Sequence, residues 1–587
     1  MGPKRFPFVS LCAIALSLLL YLPTFKLFFA FDDVDYINIA GRMNSGELPV
    51  ISVLFLPHNE HLVTGFRLLF FSYLWFIGLL ATPWRIFVAV VHALSAIFLA
   101  RIARRYANST RAALTTAIVY VGACGFSSMW VWFPTAAPVP LLTALLTGAA
   151  ALLVSRDHLT LRRVLAGIAM IVALLTESAF APMALIPAAI DEYERRREGK
   201  RGIGGLTIFT FAAIAGIVAF VAAIGSNRIS INFPHAIPRA LFLLAVAPFR
   251  LFLPRVPLFL VPDVQFALIN SAIGIAVAIV IGLLLFKQWR RSGVPPLAII
   301  AALTFPAAAG VIALVGLGRW QSSFVDLYAT DRYFFPLLVP IALLAGAIGG
   351  SITLAKWSRS ARTLFIVALA IFTVVEIEGH RRAMLQLIPM GNYAIHEARF
   401  ASLQRLTRML EEGGVTALPH QDVWYPEVHN GRIHTGVFTT LFSRGRIRTM
   451  KRVDDAEAAR INPIFDRWAA ESHEAVPFLR IVDGMIVNEH MIWRAPFNGD
   501  EASLHIGTGD VTLTVDATSP ATVNITLIDV ETKLTASLGN ATITHSGVQT
   551  LTFSGAPFTG HFGTGRFARM VVEHPPGVRL LYGASNP

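Results

Sequence analysis

Long apolar runs recur between residues 8 and 378, and no other feature constrains the fold of this chain as strongly. Repeated runs are about 18 to 22 residues long, which is the length an α-helix needs to cross the hydrocarbon core of a bilayer. Charged residues make up 14% of the chain, whereas a soluble globular chain usually contains about 25%. The sequence therefore predicts a mainly α, polytopic membrane bundle.

The net charge of +13 raises the question of a nucleic-acid partner. The basic residues, however, gather in short loops between apolar runs, which is the pattern of cytoplasmic anchoring in membrane proteins. We therefore expect a lipid bilayer as a partner of this chain, and no nucleic acid. Cys12 and Cys124 both lie in apolar runs and indicate no disulfide framework.

The orientation of the chain follows from its basic loops. The first apolar run, about 8–30, follows Lys4 and Arg5 and has no small-residue cleavage site after it, so we interpret it as an uncleaved helix that begins inside. The next run, about 64–82, either crosses the membrane or lies flat in the outer interface. The second alternative places the very basic stretch 101–111 inside and is therefore favoured. Arg67 within this run also suits an interfacial helix.

The remaining runs then alternate across the membrane and bring the total to about eleven spans. They are predicted at about 84–102, 110–127, 136–154, 161–175, 178–190, 203–224, 266–286, 295–317, 332–350 and 361–378. An odd number of spans sends the C-terminus outside. We expect a multi-pass protein of the cell inner (plasma) membrane with a periplasmic or extracellular C-terminal part.

Composition divides the chain into three predicted domains. Residues 1–379 form the transmembrane bundle, in which 31–82 make a first outer loop with its interfacial helix. The proline- and arginine-rich stretch 226–262 is interpreted as an outer or re-entrant segment. Residues 380–479 are polar and predict an outer α or mixed connector. Residues 480–587 alternate apolar and polar positions between turn residues, which predicts an extracytoplasmic β-sandwich-like domain.

Three carboxylates follow the first apolar run in the stretch FDDVDY: Asp32, Asp33 and Asp35. They either mark a solvated loop at a helix end or serve a function, because carboxylates at the rim of a membrane bundle are usually paired or functional. In the second case, one member of the adjacent pair Asp32 and Asp33 can take a proton from an attacking hydroxyl while the other places it.

A second polar stretch, PHNEH, carries His58, Glu60 and His61. Its spacing is not that of the H-E-x-x-H zinc motif, and a metal would need a third ligand. No cofactor is therefore certain. A divalent metal remains an alternative beside a hydrogen-bonding or phosphate-facing role and beside a plain loop.

Two further motifs fall at predicted outer helix ends. Glu177 lies in LTESAFAP, where a buried structural hydrogen bond is the alternative to a functional role. Arg332 and Tyr333 lie in ATDRYFFPLL. Arg332 either pairs with Asp331 or Asp326, or holds a phosphate, for which guanidinium geometry is well suited. No nucleotide-binding motif is present, so an enzyme of this kind would reach its energy-rich substrate from outside or from the bilayer.

Taken in order, these motifs resemble those of membrane glycosyltransferases of the C superfamily, which include protein O-mannosyltransferases and aminoarabinose transferases. FDDVDY resembles the F-D-D-x-x-Y motif of a first outer loop, and FLPHNEHLVTGF takes the place of a W-H-P-type motif with different residues. LTESAFAPMALIP resembles an S-K-E/P junction with Thr176 in place of the lysine, and ATDRYFFPLL resembles A-D-R-Y-x-Y-x-P. The resemblance covers roughly 8–378. The β-rich tail resembles carbohydrate-binding-like domains of some arabinosyl and aminoarabinosyl transferases.

The resemblance implies an inverting enzyme that moves a hexose or pentose from a polyprenyl-phosphate carrier to an extracytoplasmic hydroxyl of a glycan, protein or lipid. Asp32 or Asp33 would be the general base, and basic residues would stabilise the departing lipid phosphate. The substrate-binding candidates are His58, Glu60, His61, Arg67, Glu177, Arg239, Arg250, Arg255, Arg332 and Tyr333.

Two other classes of function stay open. A transporter or lipid flippase should show inverted repeats or paired broken helices in its two halves, and neither is evident in the sequence. A non-catalytic envelope glycan-assembly protein would work through its β-domain. Retention of both Asp32 and Asp33 argues against this last alternative.

Overall fold

A computed structural model describes residues 6–27, 29, 32–55, 62–123, 137–155, 157–225, 233–250, 289–290, 293–319, 322, 333–351, 359–360, 363, 393–420, 422–424, 432–471, 476–496, 500–506, 510–529, 534–562 and 566–585. The chain divides into two compact units. The first contains residues 1–33 and 50–393, and the second contains residues 34–49 and 394–587.

The first unit is built from α-helices, most of them strongly apolar. They are α1 (Phe6–Tyr21), α2 (Asp32–Asn44, of which only the first two residues belong to this unit), α3 (Val50–Phe55), α4 (Thr64–Phe76), α5 (Ala81–Ala107), α6 (Thr110–Gly122), α7 (Pro138–Leu153), α8 (Leu159–Thr176), α9 (Leu185–Arg197), α10 (Gly205–Gly225), α11 (Phe233–Arg250), α12 (Pro296–Gly318) and α13 (Leu338–Ser351). Short 3-10 helices follow α1, join α8 to α9 and lead into α13: Leu22–Lys26, Ser178–Ala184 and Phe335–Leu337.

Within the described ranges, four helices are long and apolar enough to cross a membrane, judged by length and composition: Pro7–Phe25, Ala81–Ala107, Leu159–Thr176 and Pro296–Gly318. Shorter apolar helices are Pro138–Leu153, Gly205–Val221, Phe233–Ala247 and Phe335–Ser351. These helices agree with the predicted multi-pass, mainly α protein. The total of about eleven spans stays a prediction, because the runs at 266–286 and 361–378 fall almost entirely outside the described residues.

Small residues let several of these helices pack closely. A Cβ atom built at Gly346 of α13 would lie 3.0 Å from the carbonyl oxygen of Ala112 in α6, and one at Gly316 of α12 would lie 2.5 Å from Cα of Ala240 in α11. Without a hydrophobic driving force between helices in lipid, close backbone approach at small residues is a main source of association. Helix α11 occupies the middle of the stretch 226–262 that the sequence assigned to the outer segment.

The apolar run at 64–82 is divided between two helices. Helix α4 has 13 residues, so it is about 20 Å long and too short to cross a bilayer core of about 30 Å. Its large apolar side chains are exposed on one side, among them Leu68, Trp75 and Phe76, while Phe66 and Phe70 are fully buried. The interfacial placement of this helix remains a prediction. Its short length, together with one buried and one exposed apolar side, favours that placement.

The aspartates of FDDVDY do not lie in a loop, in contrast to one of the two sequence interpretations. Asp32 is the first residue of α2, and Asp33 and Asp35 lie in its first turn. Carboxylates are favourable there because the unpaired N–H groups of a helix N-terminus carry partial positive charge. The predicted first outer loop is therefore mostly helical, with α2, α3 and α4 in succession.

The second unit joins residues 34–49 to the C-terminal part of the chain. Its mixed half contains α14 (Tyr393–Glu412), β1 (Ala417–Pro419), β2 (Asp422–Trp424), β3 (Arg432–His434), α15 (Thr435–Phe442), β4 (Arg448–Met450) and α16 (Asp455–Glu471). Strands β1 and β4 pair in parallel, and β2 and β3 are antiparallel. Trp468 of α16 is fully buried, and its Nε1 donates to the carbonyl oxygen of Ser402 in α14 at 3.2 Å. This bond fixes α16 on α14.

The C-terminal strands form two antiparallel sheets. They are β5 (Val476–Val482), β6 (Met485–Pro496), β7 (Glu501–Ile506), β8 (Val511–Ala517), β9 (Ala521–Asp529), β10 (Thr535–Ile543), β11 (Gly547–Phe553), β12 (Arg566–Glu573) and β13 (Val578–Ser585), with the short helix α17 (Ala556–Phe562) before β12. One sheet has the order β10-β9-β12-β7 and the other β11-β8-β13-β6-β5.

A single apolar core lies between these sheets. Alternate residues of both contribute to it, for example Leu513 and Val515 of β8 and Val523 and Ile525 of β9, all fully buried, together with Phe558 of α17. The alternation of buried and exposed positions along β9 is what a half-buried strand requires. The strand-rich C-terminal region predicted from the sequence is therefore present as a sandwich.

Candidate functional site

Basic residues mark one end of the first unit, here called the basic end. It is formed by the last turns of α5 and α9 and the first turn of α8. The rings of Tyr106 in α5 and Tyr193 in α9 meet edge to face with centroids 5.7 Å apart. Arg163 of α8 reaches Asp191 of α9, with Nη2 2.9 Å from Oδ1. Three basic loops that the sequence assigned to the inside thus come together.

The opposite end of the same helices is here called the site end. Helix α8 has 18 residues and is therefore about 27 Å long, so Thr176 at its C-terminus lies at the end opposite its basic first turn. Helix α13 runs the other way, because a Cβ at Gly350 near its end would lie 3.4 Å from the Cβ of Ala107 at the basic end. Tyr333, which precedes α13, therefore lies at the site end as well.

The chain that follows PHNEH and the junction around Glu177 are joined at the site end. The Leu62 N–H donates to the Ser178 hydroxyl at 2.7 Å, and the Ser178 N–H donates to the Leu62 carbonyl oxygen at 3.0 Å. A Cβ at Gly65 would lie 2.6 Å from the hydroxyl oxygen of Thr176. The start of α4 and the end of α8 are therefore held together, next to the junction around Glu177.

Both predicted polar residues at this junction are buried and engaged. Arg67 is 1% exposed, and its Nη1 donates to the carbonyl oxygen of Val53 in α3 at 2.8 Å. Glu177 is 5% exposed, and its carboxylate accepts the Ala179 N–H at 3.3 Å and so caps the 3-10 helix Ser178–Ala184. Arg67 is thus a buried residue that holds α3 to α4, and its side chain is not exposed on the surface of α4.

The chain that leads to the aspartate pair is also held at the site end. Arg85 is 2% exposed in the first turns of α5, and its Nε donates to the carbonyl oxygen of Leu27 at 2.9 Å. The Thr82 hydroxyl donates to the Phe25 carbonyl oxygen at 2.7 Å. Asp32 and Asp33 follow shortly afterwards as the first residues of α2. The pair therefore comes directly after a segment anchored at the start of α5.

Arg85 is not among the residues predicted from the sequence. The signal was available, since an arginine in the outer turn of an apolar helix is costly unless it has a role, but TPWR reads as an ordinary helix start. Arg239, which was singled out, donates through Nε to Ser322 at 2.7 Å and through Nη1 to His235 at 2.8 Å, both carbonyl acceptors. Ser322 follows α12, so these bonds fix α11 to the chain beyond that helix.

Eight of the predicted site residues have side chains outside the described part of the chain. His58, Glu60, His61, Arg255 and Arg332 lie outside the described residues. For Asp32, Asp33 and Arg250 the structure describes only the backbone, with Arg250 as the last residue of α11. Of the twelve predicted residues, the described side chains are Arg67, Glu177, Arg239 and Tyr333.

Metal binding has no support among the residues that are described. No group of three or more His, Cys, Asp or Glu side chains within them could hold a metal ion. The histidines of PHNEH are not among those residues, so the metal alternative for that stretch is neither strengthened nor weakened.

The chemistry available at the site end combines carboxylates with arginines at the rim of an apolar bundle. Arg67, Arg85 and Arg239 each donate to backbone carbonyl oxygens in the bonds described above. Such acceptors orient each guanidinium group. Oriented guanidinium groups and a carboxylate pair on the same unit are residue types that suit an anionic group that leaves and a hydroxyl that must lose a proton.

No known protein family matches the sequence, and no curated protein matches it. Solved structures are similar at low identity. ArnT from Cupriavidus metallidurans bound to undecaprenyl phosphate is 13% identical with a TM-score of 0.42, and the match covers 81% of this chain and 97% of that one. The same protein in the apo state is 14% identical with a TM-score of 0.39, covering 81% and 96%. Arabinosyltransferase EmbB from Mycobacterium smegmatis is 10% identical with a TM-score of 0.34, covering 100% of this chain and 65% of that one. The activity of this chain therefore has to be inferred from its own residues.

Proposed function

We propose that this chain is an integral-membrane, inverting glycosyltransferase that moves a sugar from a polyprenyl-phosphate carrier to an extracytoplasmic hydroxyl. The acceptor oxygen forms a bond to the anomeric carbon as its proton passes to an aspartate. The bond from that carbon to the phosphate oxygen breaks, and the lipid phosphate leaves with the electron pair. The acceptor belongs to a glycan, a protein or a lipid.

The observation that carries the proposal is the placement of the Asp32–Asp33 pair. It begins α2 directly after a segment that Arg85 anchors at Leu27, at the end of the unit opposite its basic loops. An apolar helix, α1, precedes it, in a segment long and apolar enough to cross a membrane. A carboxylate pair after such a segment supports the proposal, because a sugar carried by a lipid would meet an acceptor at the rim of the bilayer. The motifs FDDVDY, LTESAFAP and ATDRYFFPLL, which resemble those of C-superfamily glycosyltransferases, support the same conclusion.

The remaining site residues divide by role in this proposal. Asp32 or Asp33 is the general base, and the other orients the acceptor. Arg239 and Arg332 stabilise the departing phosphate together with His58, since developing negative charge is best stabilised by donors that are already oriented. Arg67 acts at a distance by holding α3 and α4 in place. The β-sandwich binds acceptor or product glycan and takes no part in the chemistry.

The test is transfer and hydrolysis by purified protein supplied with polyprenyl-phosphate-linked mannose, arabinose and aminoarabinose. Release of free polyprenyl phosphate measures donor cleavage without knowledge of the acceptor. We expect Asp32→Asn to lose transfer by about 10²- to 10⁴-fold, because asparagine keeps the size but cannot take a proton. That loss corresponds to about 3–5 kcal/mol in the activation barrier. Asp33→Asn is expected to lose as much or somewhat less.

Asp35→Asn is the matched control, since it removes a carboxylate from the same helical turn but outside the adjacent pair. We expect only a mild effect. Binding of undecaprenyl phosphate should be unchanged in all three variants, which separates loss of chemistry from loss of fold. Near-normal transfer by both Asp32→Asn and Asp33→Asn would overturn the assignment of the base and make the carboxylates structural. A folded wild-type protein that neither transfers sugar nor cleaves the donor would favour a transporter or a glycan-assembly protein.

A further inference from the structure

Helix α2 carries the aspartate pair in its first turn, yet the rest of it belongs to the second unit. Residues 34–49 cluster with 394–587, although more than three hundred residues of chain separate them. Tyr36 and Ile37 are buried, and Gly41 follows Ile37 by one turn on the same side of the helix. The question is what holds this helix.

A small platform in the mixed half of the second unit provides the first attachment. The platform comprises residues 417–420, 435–442 and 448–450, which are β1 with His420, helix α15 and β4. Gly41 faces Val437 of α15 so closely that a Cβ atom at Gly41 would lie 2.5 Å from the Cβ of Val437 and closer still to its methyl groups. Only glycine allows α2 to approach α15 this closely.

The second attachment comes just after α2 and reaches the same platform. Glu47 pairs with His420, whose Nε2 lies 2.5 Å from Oε2. The other carboxylate oxygen of Glu47 accepts from Arg42, near the end of α2, with Nε at 2.8 Å. Glu47 therefore links the end of the helix to the platform through one carboxylate.

The platform itself is rigid enough to serve as a support. His420 directly follows β1, and its backbone N–H donates to the carbonyl oxygen of Met450 at 3.1 Å, which continues the β1–β4 pairing. Helix α15 is tied to β4 by a bond between the hydroxyls of Thr440 and Thr449 at 2.5 Å. Both attachments of α2 thus come from one connected structure.

We infer that the second unit positions the aspartate pair, by fixing α2 through the contacts of Gly41 with Val437 and of Glu47 with His420. These four are positioning residues that act through α2. The inference rests on the proposed function. It assigns the mixed half of the second unit a role in the transfer step itself, separate from the acceptor binding proposed for the β-sandwich.

The test compares Gly41→Ala with Gly216→Ala in the full-length protein. Both glycines lie inside helices, but a Cβ at Gly216 would meet nothing within 4 Å. Alanine is a better helix former than glycine, so helix propensity alone predicts a more stable helix in both variants. We expect Gly41→Ala to lower the rate constant of transfer at least tenfold, with binding of undecaprenyl phosphate unchanged, and Gly216→Ala to leave both unchanged.

Hydrogen exchange of the amides of residues 34–49 supplies a readout that does not depend on activity. Gly41→Ala and Glu47→Gln should each accelerate this exchange, and Glu47→Gln does so without adding atoms, should the alanine variant fail to fold. Adding Val437→Gly to Gly41→Ala removes the colliding side chain and should restore part of the transfer rate. A general loss of structure would not be rescued in this way.

The outcomes separate this inference from the proposed function. If wild-type protein transfers sugar and both Gly41→Ala and Glu47→Gln transfer at the wild-type rate, only the positioning role is overturned. Unchanged exchange in residues 34–49 for both variants would overturn it as well. If folded wild-type protein cleaves no polyprenyl-phosphate sugar, the proposed function fails and the positioning of a catalytic pair falls with it.

Discussion

Three arginines of the first unit are oriented by backbone carbonyl groups. Arg67, Arg85 and Arg239 donate to the carbonyl oxygens of Val53, Leu27 and Ser322, respectively. Sequence patterns indicated Arg67 and Arg239 as charged residues in apolar surroundings, but they could not indicate these acceptors. A backbone carbonyl carries no sequence signal, because every residue has one. The candidate residues of the site were therefore predictable in part, and their contacts were not.

One ion pair at the basic end offers a residue-scale prediction of stability. Asp191 is 1% exposed, and both Nε and Nη2 of Arg163 donate to its Oδ1 at 3.1 and 2.9 Å. Asp191→Ala should destabilise the protein by about 3 kcal/mol, because it leaves a partly buried guanidinium without its carboxylate. Thermal unfolding in detergent would show the change as a lowered midpoint.

Asp157→Ala is the matched control for Asp191→Ala. Asp157 is exposed, and its side chain accepts only a long 3.4 Å hydrogen bond from Ser155 among the bonds described for it. We expect a change within about 0.5 kcal/mol. The double variant Arg163→Ala/Asp191→Ala should cost less than the sum of the two single ones. Additive losses would show that the pair does not interact.

At the scale of elements, helices of strong apolar character were predictable and polar ones were less so. Helix α12 (Pro296–Gly318) closely matches the predicted run at 295–317, since its length and composition allow little else. Helix α2 was not predicted, because its mean composition is polar and the aspartates read equally well as a solvated loop. The helix dipole and the close contact of Gly41 with Val437 favour the helix, and the second of these is a tertiary contact that the sequence does not reveal.

The contacts of Glu192 near the turn between α9 and α10 predict that the stability of the folded protein depends on pH. Burial alone would raise the pKa of Glu192, but the Gly204 N–H and the guanidinium groups of Arg196 and Arg195 outweigh burial and hold the pKa below its usual value of 4.5. A lowered pKa means that the carboxylate stabilises the folded state above pH 4.5. This contribution is lost as the pH falls through the pKa of the folded state.

Glu192→Gln should therefore be less stable than wild-type protein at pH 7, and the difference should shrink as the pH falls below 4.5. Glutamine keeps an acceptor for the Gly204 N–H but has no charge for Arg196. Glu198→Gln serves as control, because Glu198, which pairs with Lys200, is more exposed than Glu192 and surface pairs contribute little. A Glu192→Gln difference that stays constant from pH 7 to pH 3 would contradict the assignment.

Each of the two units is built from two separate segments of the chain, which alternate along the sequence. Residues 34–49 leave the helical unit to join the C-terminal one, and the chain then returns at Val50. Composition predicted the change from apolar helices to a polar connector and strands, since each region has its own periodicity. It could not predict the exchange of 34–49, because that segment has no composition of its own and is placed by contacts with residues near 420 and 437.

The direction of the chain across the membrane gives the final prediction. The structure gathers the basic turns of α5, α8 and α9 at one end through the Tyr106–Tyr193 and Arg163–Asp191 contacts. Basic residues near helix ends favour the cytoplasmic side. We therefore expect the site end, where Arg239 donates to the Ser322 carbonyl oxygen, to face the periplasm or exterior.

We expect alkaline phosphatase fused after Ser322 or after Pro587 to be active and the same enzyme fused after Arg196 to be inactive, because it folds correctly only after export. Green fluorescent protein at the same three positions should give the reciprocal pattern and controls for expression. Activity after Arg196 with none after Ser322 would invert the bundle and place the aspartate pair on the cytoplasmic side. Activity after Ser322 with none after Pro587 would keep the site outside, but it would contradict an odd number of spans and remove the second unit from the side of the aspartates.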